Sequence, residues 1–307
     1  MEGVETKIGN LRMRTPLMAL SGVFGIEHLT LLPELTGIGA VVTKSVTLRP
    51  RGGNPVPRII PTPAGLLNSI GIQNPGIKRF LREVIPKLRV LEVPIVASVA
   101  GFNVEEYVKC SSLLAPLDEI DAIELNVSCP NIEKGGMAFG CDPSVLERLV
   151  TRVRKAVGGK TLIVKLTPNV TDIALPAQAA VAGGADAISL INTLRGMAID
   201  LNTKKPKLGN KVGGLSGRAI HPIAVYMVYR CYTSCCRKYK IPIIGIGGVS
   251  KGEDALELIL VGATCVGIGT VMFRDKSVFE KVEKYLIEYM KERGINSILE
   301  LVGNATG

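Results

Sequence analysis

Eight short apolar runs recur along the chain, each ending in small or polar residues and most followed by a segment of helical length. Uninterrupted apolar runs are typical of parallel strands buried on both faces. Amphipathic stretches such as Pro143–Val157 and Asp254–Val261 lie between them. The runs are Leu17–Ser21, Ala40–Ser45, Pro94–Val99, Ala122–Val127, Thr161–Leu166, Ala185–Asn192, Pro242–Gly247 and Thr264–Gly269. Eight such units without a break in composition predict an α/β fold, a TIM (β/α)8 barrel that forms a single domain over residues 1–307.

Three segments fall outside this repeat. Glu5–Met13 alternates around Gly9 and Asn10, which predicts an N-terminal β-hairpin that plugs the barrel floor. Leu48–Pro75 and Thr193–Ser216 are too long and irregular for plain connectors. Both follow predicted strands, and the loops after the strands build the active site in this fold, so we expect them to be functional.

Composition narrows the class of protein. The 307 residues are 47% hydrophobic and 21% charged, as expected of a globular chain with a large core. The net charge is +10, but the basic residues are dispersed and no aromatic residues interleave with them, which predicts no nucleic-acid partner. Leu258–Phe273 is uncharged but shorter than the ~20 residues of a membrane helix, which favours a buried strand and no membrane association. The N-terminus carries no apolar signal segment.

The seven cysteines and two histidines predict a reduced, cytoplasmic protein without a metal site. One predicted outer helix carries three cysteines, Cys231, Cys235 and Cys236. We interpret them either as core thiols or as thiols that reach a partner subunit. His28 and His221 lack the neighbours of a catalytic base, and we expect both to be structural.

Polar residues stand where nearly every predicted strand ends, the position that faces a ligand in a barrel. They are Ser21, Lys44 and Ser45, Ser98, Asn126 to Cys129, Lys165, Asn192 and Thr193, Gly247 and Gly248, and Gly269 and Thr270. The glycines after strands seven and eight suit a phosphate held by backbone N–H groups, and Gly213–Gly217 offers further amides.

Three side chains at this rim carry candidate chemistry. A lysine such as Lys44 or Lys165 would stabilise the negative charge of a reduced flavin, with a Schiff base as the competing role. Cys129 lies among Ser, Pro and Asn residues, a polar setting that favours a reactive thiol over a core filler.

Several segments together closely resemble the class 1 dihydroorotate dehydrogenases across almost the whole chain. They are Asn68–Asn74, Asn126–Asn131, Ile191–Thr193, Gly213–Gly217 and Ile244–Val249. Gly135–Gly140 is similar to the class 1B branch, whose members are catalytic subunits.

The resemblance implies FMN-dependent oxidation of (S)-dihydroorotate to orotate in UMP biosynthesis. Cys129 would remove the C5 proton, and hydride would pass from C6 to N5 of FMN. The substrate residues implied are Lys44, Asn68, Ser69, Ile70, Gly71, Ile72, Asn126, Asn131, Asn192 and Thr193. The FMN residues implied are Ser21, Lys44, Ser45, Ser98, Asn126, Lys165, Ile191, Gly217, Gly247, Gly248, Gly269 and Thr270.

Ser98 departs from the family, which usually has Asn there, and Cys231–Cys236 is no family feature. The resemblance also implies a homodimer core and a second subunit carrying FAD and an iron–sulfur cluster, together a heterotetramer that delivers electrons to NAD. Fumarate or a quinone remains an alternative acceptor. The alternative functions are an FMN barrel acting on another pyrimidine, a Lys-dependent aldolase and a non-catalytic binding subunit.

Overall fold

The computed structural model describes residues 3–22, 36–88, 90–128 and 139–307. The strands are β1 Thr6–Ile8, β2 Leu11–Met13, β3 Leu17–Ala19, β4 Ala40–Val42, β5 Ile59–Thr62, β6 Gly65–Asn68, β7 Ile95–Val99, β8 Ala122–Asn126, β9 Thr161–Lys165, β10 Ala187–Leu190, β11 Leu194–Met197, β12 Ile199–Asp200, β13 Lys205–Pro206, β14 Val212–Ser216, β15 Ile243–Ile246 and β16 Cys265–Ile268. The α-helices are α1 Ile77–Arg79, α2 Ile85–Leu88, α3 Val104–Leu114, α4 Pro143–Val157, α5 Ala174–Ala182, α6 His221–Cys231, α7 Arg237–Tyr239, α8 Gly252–Leu260 and α9 Val278–Arg293.

Eight parallel strands close into a barrel in the order β3-β4-β7-β8-β9-β10-β15-β16, and β16 pairs with β3. The predicted TIM barrel is therefore confirmed, and each apolar run contains one barrel strand. Side chains alternate along these strands. On β8, Ile123 and Leu125 join the large core shared with the helices, whereas Ala122 joins a smaller core inside the barrel.

The helix between β8 and β9 begins and ends where the sequence predicts. The Asp142 carboxylate accepts hydrogen bonds from the backbone N–H groups of Ser144 and Val145, and Pro143 occupies the first turn. The other amphipathic stretch named above, Asp254–Val261, lies in helix α8, which begins two residues earlier than predicted, at Gly252. The Asp254 carboxylate caps this helix, because it accepts hydrogen bonds from the backbone N–H groups of Ser250 and Lys251.

The hairpin β1–β2 closes the N-terminal end of the barrel, as predicted. Ile8, Leu11 and Met13 are buried in the same small core as the inward side chains of the barrel strands. The backbone N–H of Asn10 donates to Thr161 Oγ1 at 2.9 Å, which anchors the turn to the first residue of β9. This contact fixes the hairpin to the barrel floor.

The two segments predicted to be irregular loops instead form a second sheet. Its strand order is β11-β14-β6-β5, all antiparallel, and β6 from the first segment pairs with β14 from the second. A two-stranded ribbon, β12–β13, continues from β11. The prediction was wrong because the Pro and Gly residues of these strands resemble turn signals when their distant partners are not known.

A π-helical segment, Tyr232–Cys236, joins α6 to α7 and carries the cysteine cluster. Cys231, Cys235 and Cys236 are at most 1% exposed and belong to the large core. They are therefore core thiols, the first of the two alternatives that the sequence leaves open.

Leu258–Phe273 comprises the end of α8, β16 and a 3₁₀ turn, so the single buried strand predicted there accounts for only part of it. Among the described helices, none combines the length and apolar character required to cross a bilayer.

Candidate active site

Most of the predicted residues lie at the C-terminal mouth of the barrel. Strand register places Asn126 of β8 opposite Lys165 of β9, and Lys165 opposite Ser189 of β10. Lys44 and Ser45 follow β4, and Ser98 lies within β7. Parallel strands bring these chain-distant side chains to one edge because all of their carboxyl ends point the same way.

A chain of hydrogen bonds joins five of these side chains across the mouth. The Ser98 and Ser45 hydroxyls lie 2.8 Å apart, and Asn126 Nδ2 donates to Ser45 Oγ at 3.3 Å. Asn192 Nδ2 donates to Asn126 Oδ1 at 3.1 Å and to Ser128 Oγ at 2.8 Å. The structure therefore assembles the predicted amides and hydroxyls into one polar network whose members hold each other in place.

Ser98 is fully buried. Besides its contact with Ser45, its backbone N–H donates to Thr43 Oγ1 at 3.2 Å. In this chain the Ser98 hydroxyl therefore orients Ser45.

Two lysines add positive charge to the mouth. Lys165 is only 6% exposed, and Lys44 is half-buried. Burial lowers the pKa of Lys44, and the like charge of Lys165 lowers it further. Among the described residues neither ammonium has a hydrogen-bond or ion-pair partner. Buried charges require compensation, so this pair is suited to an anionic ligand.

Beneath Lys165 the barrel interior holds a carboxylate that the sequence analysis did not single out. Glu124 is 1% exposed, and Ser189 Oγ donates to its Oε2 at 3.0 Å. Its Oε1 atom has no hydrogen-bond partner within the described part of the chain. Because Glu124 lies on the inward face of β8 opposite Ile163, a buried carboxyl group lies one layer below Lys165.

The second sheet brings the other predicted substrate residues to the same region. Asn68 Nδ2 donates to the Gly214 carbonyl at 3.2 Å. A side chain on Gly214 would collide with Thr193, so only glycine lets β14 approach this closely. Gly214 therefore lies between Asn68 and Thr193 and joins the two predicted groups.

The predicted substrate segment Ser69–Ile72 is held in place by residues that the sequence analysis missed. Asn54 Nδ2 donates to Ser69 Oγ at 3.0 Å, and the Asn54 N–H donates to the Ile70 carbonyl at 3.1 Å. The Ser69 N–H donates to the Arg58 carbonyl at 2.7 Å. Asn74, at the end of the recognised segment, donates to the Ile72 carbonyl at 2.7 Å. Asn74 was visible in that segment, whereas nothing in the sequence marks Asn54.

The predicted phosphate residues also converge. A Cβ on Gly248 would lie 2.8 Å from His221 Cβ and 2.9 Å from the Gly217 carbonyl oxygen, and one on Gly247 would collide with Ala224. Thr270 Oγ1 donates to Ser216 Oγ at 2.9 Å, beside Gly217. Only glycines let the loop after β15 pack this closely against the first turn of α6, and this cradle of backbone at a helix N-terminus is suited to phosphate binding through N–H groups.

The remaining predicted residues have these positions. Ile191 is buried, and its N–H donates to the Ile246 carbonyl at 2.9 Å. Gly269 precedes the 3₁₀ turn Thr270–Phe273, and Ser21 is half-buried just past β3. Cys129, Asn131, His28 and residues 135–138 of the Gly135–Gly140 run lie outside the described residues.

Comparison with known proteins gives one consistent result. A family model described as dihydroorotate dehydrogenase matches residues 3–290. The chain belongs to the dihydroorotate dehydrogenase family. The enzymes of this family are oxidoreductases and are in general flavin-dependent.

Three relatives carry the name dihydroorotate dehydrogenase B (NAD(+)), catalytic subunit. The protein from Trichlorobacter lovleyi is 46% identical over 305 residues, which cover 99% of each chain. That from Geotalea daltonii is 44% identical over 98% of this chain and 97% of its own. That from Bacteroides fragilis is 43% identical over 99% of each. The words "catalytic subunit" imply that these relatives work with a partner subunit.

The described residues fit a phosphorylated flavin. The glycine cradle lies at the N-terminus of α6, a position suited to phosphate, and two lysines without anionic partners among the described residues lie at the adjoining mouth. A phosphorylated flavin carries negative charge on its phosphate and, once reduced, on its ring, and the cradle and the lysines match these two parts.

Proposed function

We propose that this chain oxidises (S)-dihydroorotate to orotate in de novo pyrimidine biosynthesis, using one FMN bound to a single (β/α)8 domain that spans residues 1–307. One observation supports it most directly. The amides of Asn126 and Asn192, linked at 3.1 Å, share one barrel mouth with two lysines that lack anionic partners among the described residues. An amide offers both a donor and an acceptor, as does an imide-like ring, and a carboxylate substrate needs a cation.

FMN would bind along one side of the mouth. Gly217, Gly247, Gly248, Gly269 and Thr270 would hold its phosphate. The residues proposed to contact the rest of the cofactor are Ser21, Lys44, Ser45, Ser98, Asn126, Lys165 and Ile191. When bound, FMN supplies a two-electron acceptor for the hydride that leaves C6 of the substrate. Lys165 would stabilise negative charge at the ring from a fixed position, so little reorganisation would accompany the reaction.

The substrate would lie between the strand ends and the second sheet. Asn126, Asn131, Asn192, Thr193 and Asn68 would hydrogen-bond the pyrimidine ring and carboxylate, and Lys44 would contact both substrate and cofactor. The backbone of Ser69, Ile70, Gly71 and Ile72 would cover the ring and exclude water. Buried amides left unpaired by a wrong ligand would make the site selective.

Cys129 would act as the base. Its thiolate would take the C5 proton while the C6 hydride departs, so that the C5–C6 single bond becomes a double bond and two electrons leave the substrate. A thiol suits this role because its pKa lies near enough to neutrality for the thiolate to form.

The physiological assembly that we propose is a homodimer of this chain bound to a second subunit carrying FAD and an iron–sulfur cluster, with NAD as the final acceptor. The names of the relatives, which contain both "NAD(+)" and "catalytic subunit", support this proposal. We also propose a cytoplasmic location, in keeping with the six free cysteines among the described residues.

The first experiment is an anaerobic absorbance spectrum of the purified chain before and after addition of dihydroorotate. We expect a flavin spectrum that bleaches on addition and yields one orotate per flavin. A flavin that does not bleach would point to another pyrimidine substrate. A protein that binds no flavin even after incubation with FMN would exclude the redox function and favour the aldolase alternative.

A further inference from the structure

His221, which the sequence analysis assigned a purely structural role, connects the phosphate cradle to a neighbouring helix. It is the first residue of α6, and its side chain is 12% exposed. Its Nδ1 atom lies 2.7 Å from the carbonyl oxygen of Gly247, and its Nε2 atom lies 2.9 Å from Oε2 of Glu257 on α8. The ring therefore spans from the loop after β15 to a carboxylate.

Both partners of the ring are hydrogen-bond acceptors. A carbonyl oxygen cannot donate, and neither can an ionised carboxylate. A neutral imidazole has one N–H and satisfies only one of them, whereas an imidazolium has two and satisfies both. Only the doubly protonated ring can therefore donate to both acceptors at once.

The His221 ring lies beside the phosphate cradle because both glycines of the cradle pack against the first turn of α6. Gly248 lies so close to the first turn of α6 that an added Cβ would be 2.8 Å from His221 Cβ, and Gly247 is confined by Ala224 one turn later. The hydrogen bond to the Gly247 carbonyl ties the loop to the first residue of α6. A positive charge at the N-terminus of a helix is unfavourable by itself, so an anion in the cradle would stabilise the imidazolium.

We propose that His221 is a positioning residue for the cofactor phosphate: as an imidazolium it holds the Gly247–Gly248 backbone in place and contributes a positive charge behind the cradle. This inference rests on the proposed FMN site. It predicts that His221 acts on the phosphate end of the cofactor and leaves the ring end unaffected.

The protonation state can be read directly by NMR of the protein labelled with ¹⁵N-histidine, with and without FMN. The chain has only two histidines, so the signals that vanish in the His221→Gln variant belong to this ring. We expect both ring nitrogens to carry protons in the FMN-bound protein. A single protonated nitrogen there would overturn the proposal, and a His28→Gln variant assigns the ring if His221→Gln fails to fold.

Binding of FMN and of riboflavin, which lacks the phosphate, to the flavin-free protein separates the two ends of the site. Quenching of flavin fluorescence should show FMN bound about tenfold more weakly by His221→Gln, with riboflavin unaffected. Glu257→Gln should weaken FMN binding by roughly twofold, because the imidazolium loses its carboxylate partner. The effect is small because that carboxylate is 61% exposed and screened by solvent. Glu253→Gln, on the same helix, is the matched control and should change neither.

Equal weakening of FMN and riboflavin in His221→Gln would show a general structural role and overturn the proposal, as would no weakening of FMN. A wild-type chain that binds neither flavin would contradict the FMN site itself and remove the basis of both proposals. That outcome is distinguishable because it appears before any substitution is made.

Discussion

The two ends of the barrel are built from the same eight strands but have opposite character. At the N-terminal end, the inward side chains pack with Ile8, Leu11 and Met13 of the hairpin into an apolar plug. At the C-terminal end, the mouth instead carries lysines, amides and hydroxyls. Between them, Glu124 and Ser189 form a buried polar layer. Substitutions at the two ends should therefore divide cleanly between loss of stability and loss of activity.

The largest expected effect is the loss of turnover in Cys129→Ala, and the same substitution at Cys265, at the opposite end of the barrel, serves as its comparison. Cys129→Ala should lower turnover by about 10³-fold or more, the value of a positioned base, while FMN stays bound. Cys265→Ala, which alters a fully buried thiol beside Thr6 at the floor, should lower the melting temperature but leave turnover unchanged. Steady-state kinetics and thermal unfolding of both variants measure this contrast. Full activity of Cys129→Ala near neutral pH would refute its assignment as the base.

Next in size is the removal of a plug side chain. Leu11 is 2% exposed, and Leu11→Ala should lower the free energy of unfolding by about 3 kcal/mol, because a cavity remains among the inward side chains. Its kinetic constants should match those of the wild type. Arg12→Ala, on the exposed face of the same strand, is the control and should change neither quantity. A Leu11→Ala protein of normal stability would show that the hairpin does not close the floor.

Lys165→Met, at the mouth, should have the reverse effect of Leu11→Ala: lower turnover without a loss of stability. Turnover should fall roughly 10- to 100-fold, because the charge that would stabilise the reduced cofactor is lost. Stability of the flavin-free protein should stay the same or rise, because a buried charge without an anionic partner among the described residues is removed. The exposed Lys87 offers a matched Lys→Met control. Destabilisation by Lys165→Met alone, with activity retained, would assign this lysine to the scaffold.

The smallest effect concerns pH. Burial first, and Lys165 second, lower the pKa of Lys44 below its ordinary value of 10.5. Between that lowered value and 10.5 the unfolded chain binds more protons than the folded chain, so the free energy of unfolding rises with pH in this window. Urea unfolding of the flavin-free protein at several pH values should show this slope. We expect Lys44→Met to flatten it and Leu11→Ala to keep it, and an unchanged slope in Lys44→Met would contradict the assignment.

Much of this architecture was predictable from the chain alone. All eight barrel strands fall within predicted runs, because strands buried on both faces need no knowledge of their neighbours to be recognised. The predicted mouth residues also converge, since parallel strands place their carboxyl ends together. Cys129 and Asn131 lie outside the described residues, so their predicted roles remain untested.

The second sheet was not predictable in the same way. Gly65, Gly213 and Gly214 resemble turn residues in the sequence. In the structure only glycine fits at these positions, because another backbone or side chain lies against each of them. For Gly65 and Gly213 that neighbour comes from a segment about 150 residues away, and for Gly214 it is Thr193. Glu124 and Asn54 were missed for the same reason, because their significance lies in partners that only the folded chain supplies.

The pairing of β6 with β14 has a consequence for how this barrel could be rebuilt. The segments after barrel strands β4 and β10 are one module in two pieces: each supplies strands that the other completes. A transplant of either segment alone into another barrel would carry unpaired strand edges and fail to present its asparagine or threonine correctly. The two would have to be exchanged together, and substitutions across the Gly214–Thr193 contact should not combine additively.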